Sequence, residues 1–258
     1  VGSELTPPIV KKIGQAIGTM ALSQNQKTIC VGYDGRLSSP TLSSTLIDGL
    51  LSTGIDVINI GLCTTPMLYF STFHQATGTG VMVTGSHNPP EYNGFKIVVN
   101  EKTLFSDDIQ TLYKAILNSN YLKGKGKERS LSIKSDYLDE ISNSIKLKRP
   151  MRVAIDCGNG AGGVCAEELF KKLGVETEPL FCDIDGNFPN HHPDPSNPKN
   201  LLDLKNALKN GDSELGLAFD GDADRLGVVT KDGEIIFPDR LLLLFSEAVL
   251  KEYPQTSI

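Results

Sequence analysis

Strand-length apolar runs, each separated from the next by a helical repeat, are the feature that most limits how this chain can fold. TICVGYD from Thr28, VINIG from Val57, GVMVTG from Gly80 and GFKIVV from Gly94 are short, apolar and rich in β-branched residues. Between them, Ile9, Ile13, Ile17 and Met20 recur at helical spacing. PTLSSTLIDGLLSTG carries Pro40 near its start and Gly54 as its stop, and Thr65–Pro66 opens a further helix. Strands alternating with amphipathic helices predict βαβ units, with helices covering a mostly parallel sheet. The pattern repeats after residue 150: RVAIDC, GVCAEELFKKLG, ETEPLFC, LLDLKNALKNG, LGLAFDGD, then VVTKDGEII with a hairpin signal at Asp232–Gly233.

Between the halves, YLKGKGKERSLS from Tyr121 thins in apolar residues and reads as a boundary with a solvated lysine-rich linker. DYLDEISNSIKL forms a helix beyond it. The expected fold is therefore α/β, with two consecutive α/β domains, each a mixed, mostly parallel sheet with helices packed on it. The expected bounds are 1–131 and 132–235, with 236–258 beginning a third domain. The length of 258 residues suits two domains of about 100–150 residues each. The first helix has no strand before it, and the helix from about Asp239 to Lys251 has little to pack against. A fragment of a longer protein is expected.

The net charge is −6, so no basic field attracts nucleic acid or a membrane surface. No apolar run approaches the roughly 18–20 residues of a membrane span, and VGSELTPP carries no signal peptide. The five cysteines include no CxxC pair, and four sit in or beside apolar runs. Free thiols in a reducing cytoplasm are expected, and the protein is expected to be a cytoplasmic monomer.

Two stretches carry chemistry. LGLAFDGDADR puts Asp220, Asp222 and Asp224 directly after an apolar strand, where ligands of open α/β sheets bind. Carboxylates this close repel one another, and a hard divalent cation is the natural compensation. A calcium loop of the EF-hand type fails, because Arg225 and Lys231 stand where glycine and glutamate are needed. Mg²⁺ fits better, since it completes its shell with phosphate oxygens or water. The second stretch, TGSHNPPEYNGFK, is not a GxSxG nucleophile elbow. A phosphate on Ser86 would carry about −1.5 to −2 charges and could supply the oxygen the three aspartates leave open on Mg²⁺. Lys96 and Arg225 could neutralise its other oxygens.

These two motifs together resemble the α-D-phosphohexomutases, in particular the bacterial phosphomannomutase/phosphoglucomutase branch. GYDGRLSSP, DCGNGAGG and DGNFPNHHPDPSNP carry the resemblance through nearly the whole chain. It implies a four-domain architecture of which this chain is the N-terminal half. It implies that Ser86 is carried phosphorylated and that Asp220, Asp222 and Asp224 hold Mg²⁺ together with Ser86. Lys96 would be a general base or phosphate neutraliser, and Arg225 a phosphate contact. His87 and Asn88 would line the serine loop, with Arg36 a basic group near the phosphate. The implied partners are phosphorylated hexoses, with a hexose 1,6-bisphosphate as intermediate and activator. The implied reaction interconverts hexose 6-phosphate and hexose 1-phosphate, for mannose, glucose or both. Alternatives are a phosphoglucosamine mutase, whose serine loop usually departs from GSHNPP and NGFK, and a non-catalytic metal-binding fragment. Without the sugar-reading and phosphate-clamping domains, no useful turnover is expected of the chain alone. Ala223 replaces a frequent family glycine and is expected at negative φ.

Two motifs receive structural readings. GNGAGG (Gly158 to Gly163) lacks a Walker lysine and an acidic ribose partner, so it reads as a tight strand-to-helix turn. HHPDPSNP, holding His191 and His192, reads as a proline-stiffened loop leading to a helix.

Overall fold

Side-chain alternation along the strands decides how the first sheet is covered. In the computed structural model, which describes residues 1–257, helix α1 (Pro7–Ser23) leads to β1 (Thr28–Tyr33), α2 (Ser39–Leu51), β2 (Asp56–Leu62), α3 (Thr65–His74) and β3 (Gly80–Val83). β1 pairs in parallel with both β2 and β3. β4 (Phe95–Val99) and β5 (Lys102–Thr103) extend the sheet antiparallel at one edge. After α4 (Asp107–Leu117), β6 (Glu128–Ser130) closes the other edge, giving the order β5-β4-β3-β1-β2-β6. Ile29, Val31, Val81, Val83, Ile97 and Val99 join the core beneath α1, α2 and α4. Their neighbours Cys30 and Met82 join the opposite core with Met67 and Leu68 of α3. This is the period of two expected of strands buried on both faces. Each fully buried aliphatic side chain contributes about 1.5–3 kcal/mol.

The second sheet has the order β11-β10-β9-β7-β8. β7 (Met151–Asp156), β8 (Val175–Leu180) and β9 (Leu215–Phe219) are parallel; β10 (Leu226–Thr230) turns back antiparallel on β9, and β11 (Ile235–Ile236) returns antiparallel to β10 through the Asp232–Gly233 turn. β8 is an edge strand, which tolerates Pro179. The helix α5 (Lys134–Ser144) precedes this sheet, α6 (Ala166–Lys172) and α7 (Leu202–Asn210) cover it, and α8 (Pro238–Glu252) follows. α8 buries only Leu241. Both sheets are mixed with helices packed on them, as the sequence patterns require.

Two local expectations change. The lysine-rich stretch does keep Lys123, Lys125 and Lys127 exposed, but it is not a free linker. Gly126 N donates to Leu51 O at 2.9 Å, and a Cβ on Gly124 would come within 2.7 Å of Gly54 Cα. The glycines let the chain lie against the sheet edge and feed β6. α5 is also not confined to the second unit: Ile133 and Leu138 pack with Cys30, Met67 and Cys165 in one cluster. It therefore fills the seam between the two sheets. All five cysteines are free. Among the described residues, no helix is long and apolar enough to cross a membrane.

Candidate active site

The serine loop starts where β3 ends, at the carboxyl edge of the first sheet. Asp34, at the end of the neighbouring β1, organises its entry. Its carboxylate accepts from Thr84 Oγ1 at 2.8 Å, Ser39 Oγ at 2.5 Å and Gly85 N at 3.3 Å. Thr84 Oγ1 in turn accepts from Ser86 N at 2.7 Å. Ser86 has φ +50°, a left-handed conformation that costs a non-glycine residue of order 1–3 kcal/mol and persists only when its surroundings impose it.

Arg36 is the largest part of that surrounding structure. Its side chain is fully buried and pairs with Asp34 at 3.2 Å. Its two terminal nitrogens donate to the carbonyls of Ser86 (2.7 Å), Asn88 (2.6 Å), Pro89 (2.5 Å) and Tyr92 (3.1 Å). Burial lowers its pKa, with the charge of Asp34 opposing the shift. The donors of Arg36, expected as a basic group near the phosphate, are engaged from behind the loop, so it shapes the loop. Asn88 offers its backbone carbonyl to Arg36 and leaves its side chain exposed.

The acidic loop starts where β9 ends, at the carboxyl edge of the second sheet. Asp220 Oδ1 accepts from the backbone N–H groups of Asp224 and Arg225, each at 3.0 Å, and so curls the loop around itself. That return requires Ala223 at φ +58°, opposite to the negative φ expected from the sequence. The left-handed turn costs alanine roughly 1–2 kcal/mol, and the hydrogen bonds to Asp220 impose it. The GNGAGG turn braces the loop from below, with Ala161 N donating to Gly221 O at 2.9 Å.

The two loops meet. Ser86 Oγ donates to Asp220 Oδ2 at 2.8 Å, across 134 positions of sequence. Lys96, on β4 opposite Met82, reaches Asp222 Oδ2 at 2.6 Å and also contacts Asp224. Thr65 at the start of α3 donates its N–H to Asp222 O at 2.9 Å and its hydroxyl to the Asp222 carboxylate. Carboxylate oxygens of Asp220, Asp222 and Asp224 all lie within 4.8 Å of one another. Burial, then repulsion from Asp222 and Asp224, pushes the Asp220 carboxyl up to about 7. Burial acts the same way on Asp222, but Lys96 outweighs it and holds that carboxyl below its ordinary value. Lys96 itself is lowered by burial and raised more by Asp222 and Asp224, so it stays a cation.

One lysine facing three carboxylates leaves the cluster short of positive charge. Asp222 Oδ1 is buried with no hydrogen-bond partner, a cost of about 1–3 kcal/mol or more for a charged group. An oxygen donor set with an unsatisfied buried carboxylate oxygen fits a hard divalent cation such as Mg²⁺. At the rim, Arg225 is exposed, and the half-buried His87 ring is lowered in pKa by burial and then by the Arg225 charge. His87 is therefore held neutral.

Asp34, Thr65 and Thr84 escaped the sequence reading. Thr65 read only as a helix start, and Asp34 and Thr84 read as strand ends. His191 also has a partner no motif signalled: its Nε2 lies 2.9 Å from the buried Asp156 Oδ2. Burial lowers the His191 pKa, but the hydrogen bond and charge of Asp156 raise it further, above the ordinary 6.5. A raised histidine stabilises the fold fully below its unfolded pKa and loses that contribution as pH rises through the folded value. His191→Gln is thus expected to destabilise the protein by on the order of 1 kcal/mol more at pH 6 than at pH 9, read by urea denaturation at both pH values.

Fold and site define an α/β protein that brings a serine hydroxyl, a lysine and three carboxylates together where loops of its two sheets meet. Residues 1–123 match the family model described as phosphoglucomutase/phosphomannomutase, alpha/beta/alpha domain I, and residues 135–233 match alpha/beta/alpha domain II. The chain belongs to the phosphoglucomutase/phosphomannomutase family. It is 52% identical over 261 residues to a phosphoglucomutase of Neisseria meningitidis serogroup B, and 47% identical over 258 residues to a phosphomannomutase/phosphoglucomutase of Pseudomonas aeruginosa. Each comparison covers 100% of this chain and 56% of the relative, so the chain spans little more than half the length of these relatives. The crystal structure of a phosphoglucomutase/phosphomannomutase family protein from Burkholderia thailandensis superposes with a TM-score of 0.95 at 46% identity, over 98% of this chain and 57% of that one.

Proposed function

We propose that this chain carries the phosphoryl-transfer centre of a hexose-phosphate mutase, with Ser86 as the phosphate carrier. The observation that carries the reading is the 2.8 Å hydrogen bond from Ser86 Oγ to Asp220, which joins the hydroxyl to a cluster of three carboxylates faced by one lysine. Asp220, Asp222 and Asp224 would hold Mg²⁺, completed by an oxygen of phosphorylated Ser86. When bound, the ion supplies charge stabilisation to the phosphoryl oxygens.

The protein's own residues account for the rest. A hydroxyl oxygen of a hexose phosphate bonds to phosphorus as the P–Oγ bond of Ser86 breaks. The proton lost by the sugar hydroxyl is matched by the one Oγ regains. The resulting 1,6-bisphosphate returns its other phosphate to Ser86, so hexose 6-phosphate and hexose 1-phosphate interconvert. Phosphoryl transfer needs mainly alignment and charge stabilisation. Lys96, kept cationic by its carboxylate neighbours, neutralises a phosphoryl oxygen, and Arg225 at the rim offers a second cation. Mg²⁺ drawing on Asp222 and Asp224 would remove part of what keeps Lys96 charged, which makes Lys96 the candidate base for the sugar hydroxyl as well. His87 and Asn88 shape the rim of the loop.

The test is intact-mass measurement after incubation with Mg²⁺ and glucose 1,6-bisphosphate or mannose 1,6-bisphosphate. One added phosphoryl group is expected, absent in Ser86→Ala and absent when Mg²⁺ is chelated. A phosphoryl group retained by Ser86→Ala, or none on the wild-type chain, overturns the reading.

A further inference from the structure

Four consecutive carbonyls of the serine loop are hydrogen-bonded from outside it, and one of those bonds comes from the other sheet unit. Arg36 takes the carbonyls of Ser86, Asn88 and Pro89. The carbonyl it leaves is that of His87, which accepts from His192 Nε2 at 2.5 Å. A carbonyl can only accept, so His192 must carry its proton on Nε2.

His192 belongs to a segment rigidly tied to the second unit. Asp185 N donates to Asn159 O at 3.0 Å, and Asn190 Nδ2 donates to Asn159 Oδ1 at 2.8 Å. His191 is paired with buried Asp156. Pro193 is buried so close to Gly158 that a Cβ there would meet the Pro193 Cβ at 3.0 Å. The same segment also reaches the underside of the serine loop. A Cβ on Gly186 would fall 2.6 Å from Leu37 N, so this backbone lies directly against residues 35–37. Phe188, buried and held at φ +51°, sets its ring 5.2 Å from the Arg36 guanidinium carbon, within the range of a cation–π contact.

We propose that residues 185–195 form a positioning strap through which the second unit sets the conformation of the Ser86 loop, with His192 as the positioning residue on its cleft side and Phe188 on its Arg36 side. The inference rests on reading Ser86 as the phosphate carrier. Its physical content is that the metal-holding unit also fixes the hydroxyl that must meet the metal. Arg36 ties the loop backbone to the first unit, and the Ser86 hydroxyl alone reaches Asp220 of the second. His192 ties the carbonyl next to Ser86 to the frame that carries Asp220, so Oγ keeps its register with the carboxylates when the two units shift.

The test compares His192→Phe, which keeps the ring and loses the donor, with His192→Gln, which restores a donor of similar reach. The first readout is amide hydrogen exchange in residues 85–92. His192→Phe is expected to exchange about tenfold faster there, the equivalent of one lost hydrogen bond of about 1.4 kcal/mol. The second is the rate of Ser86 phosphorylation from glucose 1,6-bisphosphate. The maximal rate is expected to fall about 10–100-fold in His192→Phe with little change in the half-saturating concentration, because alignment and not binding is lost. His192→Gln is expected to recover most of both. Unchanged loop exchange in His192→Phe, or equal impairment of both variants with a lowered Tm, overturns the strap. Faster loop exchange in His192→Phe, in a wild-type protein that accepts no phosphate, supports the strap and rejects the phosphate-carrier reading instead.

Discussion

Gly221→Ala is expected to reduce Ser86 phosphorylation by about 100-fold or more, because a displacement near 1 Å at a reacting group costs that much. The added Cβ would land well inside van der Waals contact with the Ser86 carbonyl oxygen. Neither side can retreat. The Ser86 carbonyl is held by Arg36 at 2.7 Å, and Gly221 O is held by Ala161 N at 2.9 Å. Gly221 does not itself adopt a left-handed φ, so alanine meets no backbone strain there, and the whole effect comes from pushing the two loops apart. Mg²⁺ affinity should fall with it, because the oxygen expected from phosphorylated Ser86 moves away from the carboxylates. Calorimetric titration with Mg²⁺ and an intact-mass time course read the two losses. A variant that binds Mg²⁺ and takes up phosphate at the wild-type rate would show that the close approach of these loops is not needed.

Arg36→Met is expected to cost about 3–5 kcal/mol of stability, the range for removing one partner of a buried ion pair. Asp34 would keep its buried charge without a guanidinium, and the carbonyls of Ser86, Asn88, Pro89 and Tyr92 would lose their donor together. Urea denaturation measures the loss. Arg36→Lys should rescue little of it, since one ammonium with three donors cannot span a carboxylate and four carbonyls as a planar guanidinium does. Arg36→Lys within about 1 kcal/mol of wild type would mean that charge and not geometry holds the loop. The same variant should leave Ser86 free to abandon its left-handed φ, so phosphorylation should fall along with stability.

Much of the architecture was legible because its causes are local. Ile29 and Val31 against Cys30, and Val81 and Val83 against Met82, are successive residues on opposite faces of one strand, and their pattern can be read without knowing what covers them. Asp220, Asp222 and Asp224 were legible for a related reason: three carboxylates within five residues demand compensation wherever the loop lies. The roles of Arg36 and His192 were not. Arg36 in GYDGR enters only as a basic group near the phosphate, and only the serine loop, fifty residues further on, makes it a buried frame. His192 sits among prolines that suggest stiffness without naming the surface it faces. Ala223 was assigned the wrong sign of φ because the reading priced its Cβ and could not weigh the two backbone hydrogen bonds to Asp220. The lysine and glycine stretch before β6 looked like linker because composition reports exposure of side chains and not the path of the backbone.

By itself, then, the amino-acid order determined the strands, the helices and the two chemically loaded turns, since periodicity, prolines and clustered charges act between residues a few positions apart. The tertiary structure alone decided that Ser86 meets Asp220, that Lys96 and Thr65 converge on Asp222, and that the Asp185–Pro195 segment reaches back to the serine turn. Those contacts depend on how two separately formed sheets dock along the seam filled by α5. That docking is governed by shape and burial summed over both units, which no short stretch of sequence contains.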